Sequence, residues 1–417
     1  MGYVKEKMIE MEENGDWPSS VLRGKYVCTH HFQDQYLNDI IKRHGRNGQC
    51  TYCGRKDIVC DMMEFGQHIA FKIGMYFSPI EDANLMLADS FYDDDKEVIP
   101  GMRRIGPYVA PEGNTYYESK EEMMNNLSLY TDDAKLNSDI ESIFTTEQWI
   151  SKDFYEEDKN VKYSNQWDRF VDFVSKKRRF TFLASPEYIS IVQEDGKKEN
   201  ILSVLRSLII KEGLVVKLNS DTKLYRARRV DDIRKNYEFK DITSPPDASA
   251  FPNRMSPAGV SMFYASFEKE TAKKECVGEE NQGLIVGEFE TKKDLLVIDF
   301  TKIPTEISFW MDDWQANQFL YHFNEKITKK ISPNDKNLLQ YVPTQVFTEY
   351  LRYMFKDVKG RAIDGMIYGS SKTKERNIVL FCNQKDSEMF VNTNVRIEKY
   401  VSKQVWKPYN NSTMMLL

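Results

Sequence analysis

Apolar positions in this chain recur at helical spacing in a few stretches, and at strand-like alternation through most of the chain beyond Gly213. The run 62–77 (MMEFGQHIAFKIGMYF) predicts one helix. Trp167, Phe170, Val171 and Val174 fall at i, i+3, i+4 and i+7, the stripe of an amphipathic helix with Ser164 and Asn165 as cap types. Ile201, Leu202, Leu205, Leu208 and Ile209 predict another over 198–211, stopped by Gly213. A last one, over 344–355, stacks Phe347 on Leu351 and Tyr350 on Met354, with Pro343 in its first turn. Short β-rich runs lie at 213–218, 224–228, 260–265, 284–289, 295–300, 366–368 and 378–382. This change of texture sets a boundary near 213–220, between a helical N-terminal domain (1–213) and an α+β C-terminal domain (214–417). The acidic run 89–97 is expected to be a solvated loop. The polar passage 131–162 is expected to be a linker or a loose helix pair.

Composition narrows the class. With 417 residues the chain exceeds one ordinary core, and 41% hydrophobic against 29% charged residues is globular composition. A net charge of -6 argues against a general nucleic-acid binder. No apolar run approaches the roughly 18 residues that cross a bilayer, and the charged start MGYVKEKMIEMEENGDW has no apolar signal core, so a cytoplasmic protein is expected. Glu6 stands where myristoylation needs Ser or Thr.

Four of the six cysteines crowd the first sixty positions. Cys28 with His31, and Cys50 with Cys53, form two pairs about twenty residues apart, each with a gap of two, as a tetrahedral structural zinc site requires. Gly54 suits the knuckle turn. His30 is an alternative to His31, Cys60 is a spare, and the competing expectation is buried thiols beside surface histidines.

In the C-terminal part, four passages set polar residues into apolar β context. In Lys223-Leu-Tyr-Arg-Ala-Arg228, alternation puts Arg226 and Arg228 on one strand face, which suits either a solvated edge or an anion clamp. The turn Asn253-Arg254-Met-Ser-Pro-Ala-Gly259 leads to a strand carrying Tyr264 opposite Phe263 and Ala265. Glu275 ends a helix-prone run, and Ser370-Ser371 close the strand Asp364-Gly-Met-Ile-Tyr-Gly. Alone, such a Tyr is usually a core aromatic and such a Glu a solvated one.

In order and spacing these passages resemble the RES family, named for Arg, Glu and Ser in this sequence order. The resemblance spans 220–400 through LYRAR, NRMSPAGVSMFYAS, TAKKE, YVPTQ and DGMIYGSS with NIVLF. It implies an ADP-ribosyltransferase-like pair of β-sheets around a cleft for NAD, whose nicotinamide–ribose bond breaks through an oxocarbenium ion, as in glycoside hydrolysis. On that basis Arg226 clamps the pyrophosphate, Arg254 adds a second cationic contact, and Tyr264 stacks on nicotinamide. Glu275 stabilises the oxocarbenium charge, Ser370 (with Ser371 as fallback) orients ribose or amide, and Gln345 is structural. The N-terminal part resembles the HEPN-related domain that precedes some RES domains, through CTHHF, CTYCG and WDRFVDFVSKKRRF. Arg23 and His30 fit the HEPN ribonuclease spacing but lie within the Cys/His cluster, so ribonuclease activity is not expected. The resemblance further implies a toxin or defence effector, held by an antitoxin or regulatory protein and acting as a homo-oligomer. The ADP-ribose acceptor is left open among water, phosphate and protein. A protein ADP-ribosyltransferase and a non-catalytic NAD- or partner-binding module are the alternatives.

Overall fold

Contacts divide the chain into two units, Met1–Lys159 with Glu306–Gln315, and Asn160–Thr305 with Ala316–Leu417. The computed structural model describes residues 19–83, 86–87, 102–105, 107–111, 115–144, 146–152, 158–182, 191–192, 198–276, 283–329, 338–403 and 405–408; the acidic run 89–97 lies outside them. No helix among the described residues is long and apolar enough to cross a membrane.

The first unit, expected to be helical, is mixed. After α1 (Ser19–Leu22), the strands β1 (Tyr26–Cys28), β2 (Arg46–Gln49) and β3 (Lys56–Asp61) form an antiparallel sheet in the order β1-β3-β2, with α2 (Gln35–His44) between β1 and β2 in sequence. Asp34 caps α2 by accepting from Tyr36 N and Leu37 N. Asp61 caps α3 (Met62–Tyr76) at Met63 N, and that helix buries Met62, Phe65, Ile69 and Ile73, the face its sequence spacing predicted. Strands β4 (Phe77–Pro79), β5 (Met86–Leu87), β6 (Met102–Ile105), β7 (Tyr108–Pro111), β8 (Tyr116–Tyr117) and β9 (Trp149–Ser151) make two more three-stranded sheets, β4-β9-β8 and β5-β7-β6. Strands of two to four residues are too short to show alternation, which is why the sequence hid them. The passage 131–162 holds α5 (Ala134–Glu141), which follows α4 (Lys120–Asn126), and buried Trp149 and Ile150 rather than a bare linker. The distant segment Glu306–Gln315 completes this core: Trp310 is buried and its Nε1 donates to Leu127 O at 2.6 Å.

In the second unit, α6 (Lys159–Lys176) starts before the expected Ser164-Asn165 cap, because Tyr163 extends the buried stripe of Trp167, Phe170, Phe173 and Val174 back by one turn. After the hairpin β10 (Ile191–Val192) and β11 (Lys198–Glu199), α7 (Ile201–Lys211) is capped by Asn200, and Gly213 at φ 64° releases the chain into β12 (Val215–Leu218). The strands β13 (Lys223–Val230), β14 (Phe263–Ser266), β15 (Gly283–Glu290), β16 (Leu295–Asp299), β17 (Gly365–Gly369), β18 (Arg376–Leu380), β19 (Arg396–Lys403) and β20 (Val405–Pro408) join β12 in one sheet of order β12-β16-β17-β18-β14-β13-β15-β19-β20. The expected pair of sheets is therefore one hydrogen-bonded sheet, pinched at its middle: β13 meets β14 only at Tyr225↔Ser266, whereas β13 pairs with β15 along its whole length. One face, with Met262, Ile298, Met366 and Val379, packs under α6, α7, α10 (Trp314–Thr328) and α11 (Val342–Tyr353). The other face buries Phe263, Phe289, Ile367, Ile378 and Leu380. Short helices α8 (Phe239–Ile242) and α9 (Lys269–Glu275) complete the unit.

Candidate active site

The pinch in the sheet is where Arg226 sits. Alternation puts it on the Phe263 side of β13, with its guanidinium carbon 5.7 Å from that ring's centroid. Its Nη1 donates at 2.6 Å to Tyr264 O, a carbonyl the strand ladder leaves open past the single Tyr225–Ser266 pair. The residue keeps some accessible surface, but its Nε is sealed and without a partner. Among the described residues no carboxylate pairs with it. Burial, and less strongly Arg228, lowers its pKa, while Cys276, Tyr264 and Cys382 oppose that. An arginine still remains charged there, so the pinch holds a cation without a carboxylate partner, one of whose donors is sealed and unpaired. That is a costly arrangement unless an anion arrives.

Tyr264 points to the opposite face of β14, where its hydroxyl lies 3.0 Å from Ser256 Oγ. Burial pushes its phenol up to about 12, with Ser256, Met255, Arg226 and Arg254 pulling the other way, so it stays protonated at physiological pH. The 253–256 loop is held from α11: Gln345 Nε2 donates to Asn253 O at 2.8 Å and to Ser256 O at 3.2 Å, and Thr344 Oγ1 donates to Arg254 O at 2.7 Å. Gln345 thus has the structural role expected of it. Arg254 Nη2 donates to Lys329 O at 2.9 Å.

Glu275, the last residue of α9, is gripped by neutral donors. Its Oε1 accepts from Ser370 Oγ at 2.6 Å and from Asn377 Nδ2 at 2.9 Å. Asn377 Oδ1 accepts in turn from buried Ser266 Oγ at 2.6 Å. Ser370 Oγ also accepts from Lys372 N and Thr373 N at 3.1 and 3.2 Å, which turns its one proton toward the carboxylate. Ser370 is buried and Ser371 exposed, so the register of the doublet selects Ser370 as the partner of Glu275. Among the described residues no cation pairs with the Glu275 carboxylate and no hydrogen bond reaches its Oε2, while Lys372 Nζ donates to the Glu275 backbone carbonyl at 3.0 Å. The carboxylate is positioned without being neutralised.

Strand register ties the two clusters together. Tyr264 and Ser266 share a face of β14 and lie opposite Val379 and Asn377 of β18, while Tyr368 of β17 pairs with Asn377. Asn377, Ser266 and Tyr368 were not singled out from sequence. Burial raises the Tyr368 phenol; Tyr264 and Glu275 add to the rise, and Arg254 and Arg226 oppose it, so this ring lies within the field of four expected site residues.

A separate group lies in the first unit. Cys28 ends β1, His31 closes the turn Thr29–His31, and Cys50 and Cys53 flank a knuckle in which Gly54 N donates to Cys50 O at 3.0 Å. That turn needs φ 70° at residue 54, which only glycine adopts without strain. Cys28 Sγ and Cys53 Sγ are 3.5 Å apart, Cys50 Sγ and His31 Nε2 are 3.4 Å apart, and all four ligand atoms lie within 4.8 Å of one another. Tetrahedral zinc with its usual bond lengths sets ligand–ligand edges of roughly 3.5–3.8 Å, so the donor set fits that ion. Burial, aided by Cys53 and Cys50, pushes the Cys28 thiol up to about 12, a cost that a dication on the thiolates would reverse. The four-donor group contains His31 and not His30, whose Nδ1 lies 3.7 Å from Cys28 Sγ and 3.4 Å from Asp57. Cys60 belongs to the apolar core, with Sγ directed at Asp61 O. Zinc here would cross-link β1 to the knuckle. One tightly held zinc per chain is expected, and stripping it should lower the melting midpoint by roughly 5–10 °C, a loss of about 2–3 kcal/mol. A midpoint unmoved by chelator, with far less than one zinc per chain by metal analysis, would contradict the assignment.

Two family models match the chain, HEPN/RES N-terminal domain 1 over residues 43–188 and RES domain over residues 223–400. Cys28 and His31 precede the first match, and Arg226, Tyr264, Glu275, Ser370 and Asn377 all fall within the second. No curated protein matches the chain. A chain in the crystal structure of the M.tuberculosis MbcT-MbcA toxin-antitoxin complex is similar at 10% identity, over 49% of this chain and 93% of that one, with a TM-score of 0.26. A likeness that loose defines no fold. The two family matches identify domains of the chain: a HEPN/RES N-terminal domain precedes a RES domain.

Proposed function

We propose that the 214–417 domain binds NAD at the pinch of its sheet and breaks the nicotinamide–ribose bond. The observation that carries this reading is a pair of opposite charges without an ion-pair partner: part-buried Arg226 without a carboxylate, and a Glu275 carboxylate held by neutral donors. A ligand with an anionic pyrophosphate at one end and a centre that turns cationic at the other matches that pair. Arg226, with Arg254 nearby, takes the pyrophosphate through forked donors. Tyr264, protonated and held by Ser256, stacks on the nicotinamide. Glu275 Oε2 faces the ribose and stabilises the oxocarbenium charge as the bond lengthens, the kind of pre-organised electrostatics that dominates catalysis. Ser370 keeps that carboxylate in place. On this reading the fold works as an ADP-ribosyltransferase-like cleft, and NAD loss makes the protein a cytoplasmic toxin or defence effector, restrained by an antitoxin or regulatory protein.

The acceptor is tested directly by following NAD labelled in its ADP-ribose portion, with and without phosphate. Free ADP-ribose identifies hydrolysis, a phosphorylated product phosphorolysis, and label on protein a transferase. Intact NAD under every condition overturns the proposal.

Asn377→Ala should lower kcat by roughly 10–100-fold with KM changed much less, because it removes one of the two donors on Glu275 Oε1 and strands buried Ser266, a loss of about 1.4–2.7 kcal/mol. Steady-state kinetics check this. An unchanged kcat would make the residue a packing partner only.

A further inference from the structure

The first unit carries a second group of metal-type donors, distinct from the Cys/His cluster. His44 is the last residue of α2, and Glu64 and His68 stand at i and i+4 on α3, one above the other on the same helix face. Their ligand atoms all lie within 4.8 Å of one another, with His44 Nδ1 3.0 Å from Glu64 Oε1. The two imidazole centroids are 4.1 Å apart at 46°. The scaffold holds this geometry. Asp61 caps α3, Phe65 and Ile69 anchor that helix in the core, and the chain leaves α2 so tightly that a Cβ on Gly45 would meet Ile41 O at 2.4 Å.

We propose that His44, Glu64 and His68 form a second, solvent-facing site for a divalent first-row cation of the zinc or cobalt class. Imidazole and carboxylate at metal–ligand lengths of roughly 2.0–2.2 Å give adjacent-ligand separations of about 3.0–3.5 Å, and the His44–Glu64 pair already has that spacing. His68 makes no hydrogen bond among the described residues. The neighbouring cationic side chains are directed elsewhere, Arg43 Nε to Asp39 O and Lys42 to the Asp39 carboxylate, so none occupies the space between the three donors. The side chains of His44 and Glu64 remain 35% and 46% exposed, so an ion can enter. Three protein ligands also leave it coordination positions for water or an outside ligand, unlike the four-ligand cluster.

The experiment titrates the full chain, with zinc already in its Cys/His cluster, with Co²⁺. A second equivalent should bind, showing cobalt d–d bands but no thiolate-to-metal charge-transfer band. In His44→Gln/His68→Gln that equivalent should bind at least tenfold more weakly, while the cluster zinc and the circular dichroism stay unchanged. If the double variant does not fold, Glu64→Gln, at a half-exposed position, must weaken cobalt by a similar factor. Binding of the second equivalent that these variants leave unchanged, a charge-transfer band in its spectrum, or no second equivalent at all would each overturn the proposal.

Discussion

Glu275→Gln should slow nicotinamide release from NAD by about a thousandfold while moving the melting temperature by no more than a degree or two. The substitution is isosteric, and its amide oxygen still accepts from Ser370 and Asn377 at the Oε1 position. The negative charge beside the ribose is lost. Removing one pre-organised electrostatic contact from a transition state typically costs close to three decades, roughly 4 kcal/mol. Initial rates at saturating NAD, with a melting curve on the same samples, separate the outcomes. A thousandfold loss with an intact fold is the catalytic result. A rate that tracks a collapse in stability would make Glu275 a scaffold residue.

Arg226→Met has the next largest effect, and its signature lies in the split between binding and stability. KM for NAD should rise at least a hundredfold, about 2.7 kcal/mol, because the forked cation meets the pyrophosphate in the ground state and the transition state alike. Stability should change little, within about 3 °C. The lost bond to Tyr264 O and the lost contact with Phe263 are offset by relief of a part-buried charge without a carboxylate partner. Arg226→Lys tests the fork separately, since it keeps the charge without the bidentate geometry and should recover only part of the affinity. A large fall in melting temperature with unchanged KM would show instead that Arg226 is structural glue for the pinched sheet.

Much of the fold is legible in the sequence because the relevant signals are local. The stripe on α3, the Asn200-capped α7, the Pro343-led α11 and the core strands β12 to β18 all announce themselves within a dozen residues. The features that escape such reading are non-local or too short. Most of the first unit's strands, β3 apart, carry too few residues to alternate, and Trp310 reaches Leu127 from 183 positions away. The site follows the same division. Arg226, Tyr264, Glu275 and Ser370 stand in recognisable motifs. Asn377 and Ser266 become meaningful only once β14 is laid antiparallel on β18, and only the turn after Gly369 decides between Ser370 and Ser371. The pinch between β13 and β14, which leaves Tyr264 O for Arg226, is a property of pairing that no strand's own sequence announces.

The most direct test of the central claim is nicotinamide release from NAD by the purified full chain, run beside Glu275→Gln at equal concentration. Cleavage at the pinch with Glu275 as its electrostatic anchor requires one nicotinamide for each NAD consumed by the native chain, and about a thousandfold less from the variant. NAD left intact by the native chain, or nicotinamide released equally by both, would contradict it.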